Sequence, residues 1–316
     1  MSRSGRRPRK RGPVRTAIRR LDSHAETAQS DGMAASSTAF PASRAPHPVL
    51  RPLLARSYPA VMGVLNVTPD SFSDGGQFLA HDSALAQARR LIADGADIID
   101  IGAESTRPYG CAEPVPVGQE LARLRPILSD VVALGVPVSI DSMKSEVTGF
   151  ALEIGAVIAN DVWGLQRDSG MAPLVAARNV PVIVMHNRDA ADPAIDIMKD
   201  ISDFFVRSLD LATKAGISEG NIVLDPGIGF GKTPEQSMTA LARLDELLSF
   251  GLPLLVGASR KRFIASVTPS EPQHRLGGSI AAHLIAARRG AQIIRTHDVA
   301  ETVQALRVAA AIGDLR

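Results

Sequence analysis

Between residues 60 and 312 one pattern recurs eight times: a short run of Val, Ile, Leu and Ala, a polar or Gly-rich loop, then an amphipathic stretch. The apolar runs are 60–67, 97–102, 138–141, 156–161, 182–186, 222–225, 254–257 and 292–297. Near-continuous aliphatic runs of this length suit parallel strands covered on both faces. Between them, helical spacing predicts helices over 83–93, 117–134, 144–154, 171–178, 196–215, 234–250, 278–289 and 299–312. Gly95 and Gly290 follow two of these stretches and suit the position just past a helix end. Eight strand–helix units with no element left over close most simply into an α/β fold of (β/α)₈ (TIM) barrel type. A doubly wound open sheet is the alternative.

In such a barrel, chemistry sits where strands end and loops begin. Each of the eight run ends carries polar residues: Asn66; Glu104 to Arg107; Asp141; Asn160 with Asp161; His186; Asp225; Ser259 to Lys261; and Arg295 with His297. The opposite ends begin with Pro137, Pro181 and Pro253 or with Gly-Ala pairs. Function is therefore expected on one face. The first loop, Asn66 to Gly76, is polar and holds Phe72 and Asp74. The second brings Thr106, Arg107 and Pro108 to the same mouth, where Asp74 can pair with Arg107. Loops of this make-up can fold over a substrate.

Arg295 and His297 offer a fork of donors to an anion, and Asn66, from the neighbouring first strand, offers a neutral oxygen suited to Mg²⁺. Asp298, with Glu301 three residues on, reads as a helix cap. Asp141, Asn160 and Asp225 come from separate strands and point toward one axis. Buried carboxylates need donors, and a flat heterocycle with an N–H beside an amino group supplies a pair. Lys261 can reach a ring carbonyl of such a ligand. Phe230 lies in the Asp225 loop, where a ring can stack on it; His186 reads equally as structural or functional.

The Asp225 loop ends in Gly231-Lys232-Thr233, like a phosphate-binding P-loop. Only three residues separate Gly227 from Gly231-Lys232, and Pro226 stands where glycine is required, so that reading fails. Thr233-Pro234-Glu235-Gln236 instead starts a helix with a capping box.

Charge divides the chain. Residues 1–56 hold 12 Lys/Arg against three acids, leaving a net −7 on residues 57–316 within a total of +2. The expectation is a disordered basic extension over 1–56, unable to form a core and dispensable for turnover, ahead of one barrel domain over 57–316. Arginine clusters such as Arg6-Arg7 could hold nucleic acid, but a plain extension is the simpler reading. One cysteine, Cys111, excludes an internal disulfide and fits a reducing, cytoplasmic setting. No run approaches the about 20 apolar residues of a membrane helix.

The motifs 66–76 (NVTPDSFSDGG), 104–108 (ESTRP), 225–232 (DPGIGFGK), 259–261 (SRK) and 295–299 (RTHDV) resemble dihydropteroate synthases. The resemblance implies condensation of p-aminobenzoate with 6-hydroxymethyl-7,8-dihydropterin diphosphate, giving 7,8-dihydropteroate and pyrophosphate for folate. It implies that Asp141, Asn160, Asp225 and Lys261 grip the pterin and that Met185 lines its pocket. Asn66 would meet the diphosphate and Mg²⁺, and Arg295 and His297 the leaving phosphates. Phe72, Thr106, Arg107, Pro108 and Phe230 would form or close the p-aminobenzoate site. A homodimer and sensitivity to sulfonamides are also implied, since no insertion stands beside Phe230. Ala103 and Ser142-Met143 depart from the usual pattern without removing a proposed contact. A methyltransferase of the same pterin-binding barrel type would have no use for the anion group Arg107, Arg295 and His297.

Overall fold

The computed structural model describes residues 45–67, 77–104, 115–313 and 315. Eight parallel strands close into a barrel in chain order: β1 Ala60–Asn66, β2 Ile98–Gly102, β3 Val138–Asp141, β4 Ile158–Asp161, β5 Val182–Met185, β6 Ile222–Asp225, β7 Leu254–Val256 and β8 Ala291–Thr296. β8 returns to β1 with Ala60 opposite Ile293 and Gly63 opposite Thr296, which completes the closure. The barrel expectation holds, with strand ends moved by at most two residues.

The helices are α1 Arg51–Leu54, at the lower end, and, packed outside, α2 Gln77–Ala93, α3 Val117–Leu124, α4 Leu128–Val132, α5 Ser145–Ile154, α6 Met171–Arg178, α7 Ile197–Ala215, α8 Pro234–Ala242, α9 Arg262–Val267, α10 Leu276–Arg288 and α11 Val299–Ile312. Two expected helices are broken. The helix expected over 117–134 divides into α3 and α4 around Pro126, which has no N–H to continue the ladder. The one expected over 234–250 leaves helical geometry at Arg243 (φ −116°, ψ 21°) and finishes as a 3₁₀ segment, Leu244–Phe250. The box at Thr233 forms as expected, Thr233 Oγ1 accepting from Gln236 N at 3.1 Å while Gln236 Oε1 accepts from Thr233 N at 3.0 Å.

Side chains alternate across a strand, so each strand sends every second residue to the barrel axis. Ala60 and Met62 of β1, Ile98, Ile158, Ile183, Val223, Leu255 and Ile293 form one apolar cluster inside the barrel. Two residues further along six of these strands stand Asp100, Asn160, Met185, Asp225, Gly257 and Arg295. In β3 the same phase gives Ser139, then Asp141. The interior thus passes from an aliphatic layer to one that carries Asp100, Asp141, Asn160, Asp225 and Arg295 within one repeat of the pleat, about 7 Å.

The lower end is closed by residues 47–54. His47 N donates to Gly220 O at 2.9 Å, and α1 sets Leu50 and Leu53 into the interior cluster. The expectation that residues up to Arg56 contribute no core is therefore corrected: Leu50 is 1% exposed. Each such leucine is worth about 2 kcal/mol of burial. Residues 1–44 lie outside the described residues.

Candidate active site

The polar layer above the aliphatic plug is wired together by Asp100, which the strand-end reading overlooked. Asp100 sits in the middle of β2, fully buried, and accepts from Arg295 Nε at 2.6 Å and from Asn160 Nδ2 at 3.2 and 3.3 Å. The guanidinium also donates through Nη2 to Asp141 Oδ2 at 2.6 Å. Four strands, β2, β3, β4 and β8, are so joined at one point.

Asp141 has a second oxygen, Oδ1, that is buried and has no hydrogen-bond partner among the described residues. Orphaned buried acceptors are rare in folded proteins and invite a donor from a ligand. Burial, only partly offset by Arg295, pushes Asp141 up to about 7. Arg295 is raised as well: burial opposes its charge, but Asp100 and Asp141 outweigh it and hold the proton more firmly.

Asp225 closes β6 and turns one oxygen back to Gly227 N at 2.7 Å. Burial raises its pKa, and Lys261 counteracts part of that rise. Lys261 donates to Ile228 O and lies 4.5 Å from the centre of the Phe230 ring. Burial, against the attraction of Asp225, brings Lys261 down to about 7. Beside them Val162, Met185 and Phe230, with Met143 and Trp163 packed on, make an apolar wall. Acids and a lysine facing an apolar wall offer both edge and face contacts to a flat polar ring.

The corner that aims Lys261 is under strain. Arg260 has φ 56°, a left-handed conformation few bulky residues adopt. Ser279 Oγ accepts from its N–H at 2.9 Å, Arg275 Nη1 donates to its carbonyl at 2.9 Å, and its guanidinium pairs with Asp298. This corrects the expected role of Asp298: no side-chain cap bond is present at α11, and the carboxylate serves Arg260 instead. Ser259 Oγ accepts from His297 N at 3.2 Å and stands 3.0 Å from His297 Nδ1, which ties the β7 and β8 ends together. Asn66 stands part-buried at the end of β1, opposite Gly102 of β2.

Of the expected residues, Asp141, Asn160, Met185, Asp225, Phe230, Lys261, Arg295 and His297 all stand at the strand ends or loops of this one face. Phe72, Asp74, Thr106, Arg107 and Pro108 lie outside the described residues. The flanks of the second loop are described: Glu104 accepts from Val115 N at 2.9 Å and pairs with Lys144 at 2.5 Å, bringing both ends of 105–114 to one place. His186 is buried and structural in its contacts, with Asp200 and Lys232 as partners.

A mouth of this composition on a closed (β/α)₈ barrel defines a pterin-binding enzyme, and the family described as "Pterin binding enzyme" matches residues 62–297. The dihydropteroate synthase of Bacillus subtilis is 44% identical over 240 residues, which is 76% of this chain and 83% of that protein. The dihydropteroate synthase of Xanthomonas albilineans, solved with 4-aminobenzoic acid, superposes with a TM-score of 0.78 at 44% identity, over 83% of this chain and 95% of that one. The chain is also 46% identical over 261 residues to a probable bifunctional folylpolyglutamate synthase/dihydropteroate synthase of Haloferax volcanii, spanning 31% of that longer protein and 81% of its own length. The chain belongs to the dihydropteroate synthase family.

Proposed function

We propose that this transferase joins p-aminobenzoate to 6-hydroxymethyl-7,8-dihydropterin diphosphate, forming 7,8-dihydropteroate and pyrophosphate. The observation that carries the reading is Asp141: one oxygen is locked by Arg295 and the other is buried without a partner among the described residues. A pterin ring carries the N–H donors that such an acceptor lacks. Asp225 and Asn160 border the same space from β6 and β4, and Lys261 approaches from β7.

The aniline nitrogen attacks the pterin methylene carbon, the C–O bond breaks, and its electron pair leaves with pyrophosphate. The nitrogen then loses a proton to solvent. Because the amine is neutral near pH 7, no strong base or covalent intermediate is required. What the protein supplies is orientation, a dry apolar wall and positive charge beside the departing anion. Met185 and Phe230 make the wall; His297 and Arg295 stand on the β8 side, where the diphosphate is expected, but the guanidinium has Nε and Nη2 on Asp100 and Asp141, so the full fork expected for the phosphates is not free.

Asn66 suits the Mg²⁺ that the resemblance implies. It offers one neutral oxygen, fitting a cation that travels on a diphosphate and keeps most of its waters. Bound there, the ion would neutralise charge on the leaving group. The reading extends to a cytoplasmic homodimer open to sulfonamides at the p-aminobenzoate position.

Pyrophosphate release with the pterin diphosphate, with and without p-aminobenzoate, tests the proposal. Release that depends on both substrates is expected; release indifferent to p-aminobenzoate would refute it. Sulfonamide inhibition is expected to be relieved by added p-aminobenzoate.

A further inference from the structure

Lys232 has no part in the chemistry above, yet it is 4% exposed, and burial pushes its pKa well below the usual ammonium range. Its surroundings answer that cost atom for atom. Nζ donates to Gly227 O at 2.9 Å and to Phe230 O at 3.1 Å, and lies 2.6 Å from His186 Nδ1. Three acceptors meet the three protons of one ammonium group. His186 Nδ1 accepts only if the proton sits on Nε2, which is 2.9 Å from Asp200 Oδ2. Arg188 Nη1 holds the other oxygen of Asp200 at 2.9 Å. Burial and the neighbouring Lys232 take His186 down to about 4, so its ring is neutral, in agreement with these contacts.

The loop between β6 and α8 is pressed onto the segment after β5. At Gly227 (φ 62°) a Cβ would stand 1.9 Å from His186 O, and at Gly231 (φ 53°) 2.6 Å from Arg188 O. His186 N also donates to Asp225 O at 2.9 Å. One side of the loop is thus seated on backbone and fastened through its centre by Lys232. Its other features are the Asp225 carboxylate, the Ile228 carbonyl that receives Lys261, and the Phe230 ring.

We propose that Lys232 is a positioning residue for the reaction: by clasping the Gly227 and Phe230 carbonyls and resting on His186, it fixes the loop shape that presents Phe230 to the p-aminobenzoate side of the site. This rests on the function proposed above. Asp141 and Asn160 belong to other strands and do not depend on the loop. The consequence is selective: losing Lys232 loosens Phe230 and leaves Asp141, Asn160 and Lys261, the last held by the Arg260 corner, in place.

The test uses the full chain and the variants Lys232→Met, Lys232→Arg and His186→Leu, each confirmed folded by far-UV circular dichroism. For Lys232→Met the KM for p-aminobenzoate is expected to rise about tenfold, the worth of roughly one hydrogen bond. The Kd for 6-hydroxymethylpterin, measured calorimetrically, is expected to change less than about threefold. Lys232→Arg keeps the charge and recovers part of the loss, and His186→Leu, which leaves both carbonyl contacts, shows a smaller rise in the same constant. Unchanged constants in folded Lys232→Met, or equal losses on both substrates, would overturn the proposal. Hydrogen exchange separates it from the reading it rests on, with or without turnover in the parent: faster exchange at the Phe230 amide in Lys232→Met is expected, and unchanged exchange there also overturns it. Should Lys232→Met fail to fold, His186→Leu decides by the same two readouts.

Discussion

Asp100 and Lys261 set the terms of the rim. Asp100 compensates a buried guanidinium, and breaking such a pair by removing one charge typically costs about 3–5 kcal/mol. Asp100→Leu is therefore expected to lose stability of that order in urea unfolding and to weaken pterin binding as Arg295 and Asn160 lose their common anchor. The pH dependence follows from two groups held near 7 in opposite senses. Asp141, raised to about 7, is protonated below that pH and stops accepting from a ring N–H. Lys261, lowered to about 7, is deprotonated above it and loses its charge. Pterin affinity is expected to peak near pH 7 and fall on both sides. Lys261→Arg, whose guanidinium keeps its proton, should remove the alkaline limb in calorimetric titrations and leave the acid limb. Asp141, Asn160 and Asp225 were legible because they stand at the ends of apolar runs. Asp100 was not, because it lies inside such a run; the signal was its phase, two residues beyond Ile98 on the side facing the axis. Lys232 was noticed for a phosphate motif it does not complete, and a buried lysine has no mark in sequence until its carbonyl partners are known.

At the level of elements, the loops do what strands cannot: they turn side chains back over the mouth. The Arg260 corner is maintained against its own backbone preference by Ser279, Arg275 and Asp298. Asp298→Ala is expected to cost about 1 kcal/mol, since Arg260 is partly exposed, and to reduce kcat/KM severalfold by releasing Lys261. Hydrogen exchange in the first turn of α11 should change little; marked loss of protection there would restore the capping role. Helix starts read well where chemistry marks them, as at Thr233 and at Asp196, whose carboxylate accepts from Met198 and Lys199 amides. Helix ends read poorly. Pro126 announced a break that helical spacing on either side concealed, whereas nothing in the residues around Arg243 marks the change to a 3₁₀ segment.

For the whole molecule, the count and order of units foretold closure of the barrel, because eight strand–helix repeats leave no edge to cover. The start of the domain was misread for a reason of averaging: across 21–56 the Ala, Ser and Pro content is high, and Val49-Leu50 with Leu53-Leu54 is lost in so wide a window. The two boundaries make different predictions. Deleting residues 1–44 should leave turnover unchanged. Deleting 1–56 also removes Leu50 and Leu53 from beneath the barrel, and about 4 kcal/mol of burial with them, which should appear as a lowered Tm and loss of activity on mild heating.

The stopper made by α1 also decides where extra protein can be attached. Ala45 and Pro46 lie against Gly220, at the start of β6, on the side remote from Asp225 and Lys261. A tag or fused enzyme joined ahead of Ala45 leaves from the floor of the molecule, and substrates arriving at the roof need not pass it.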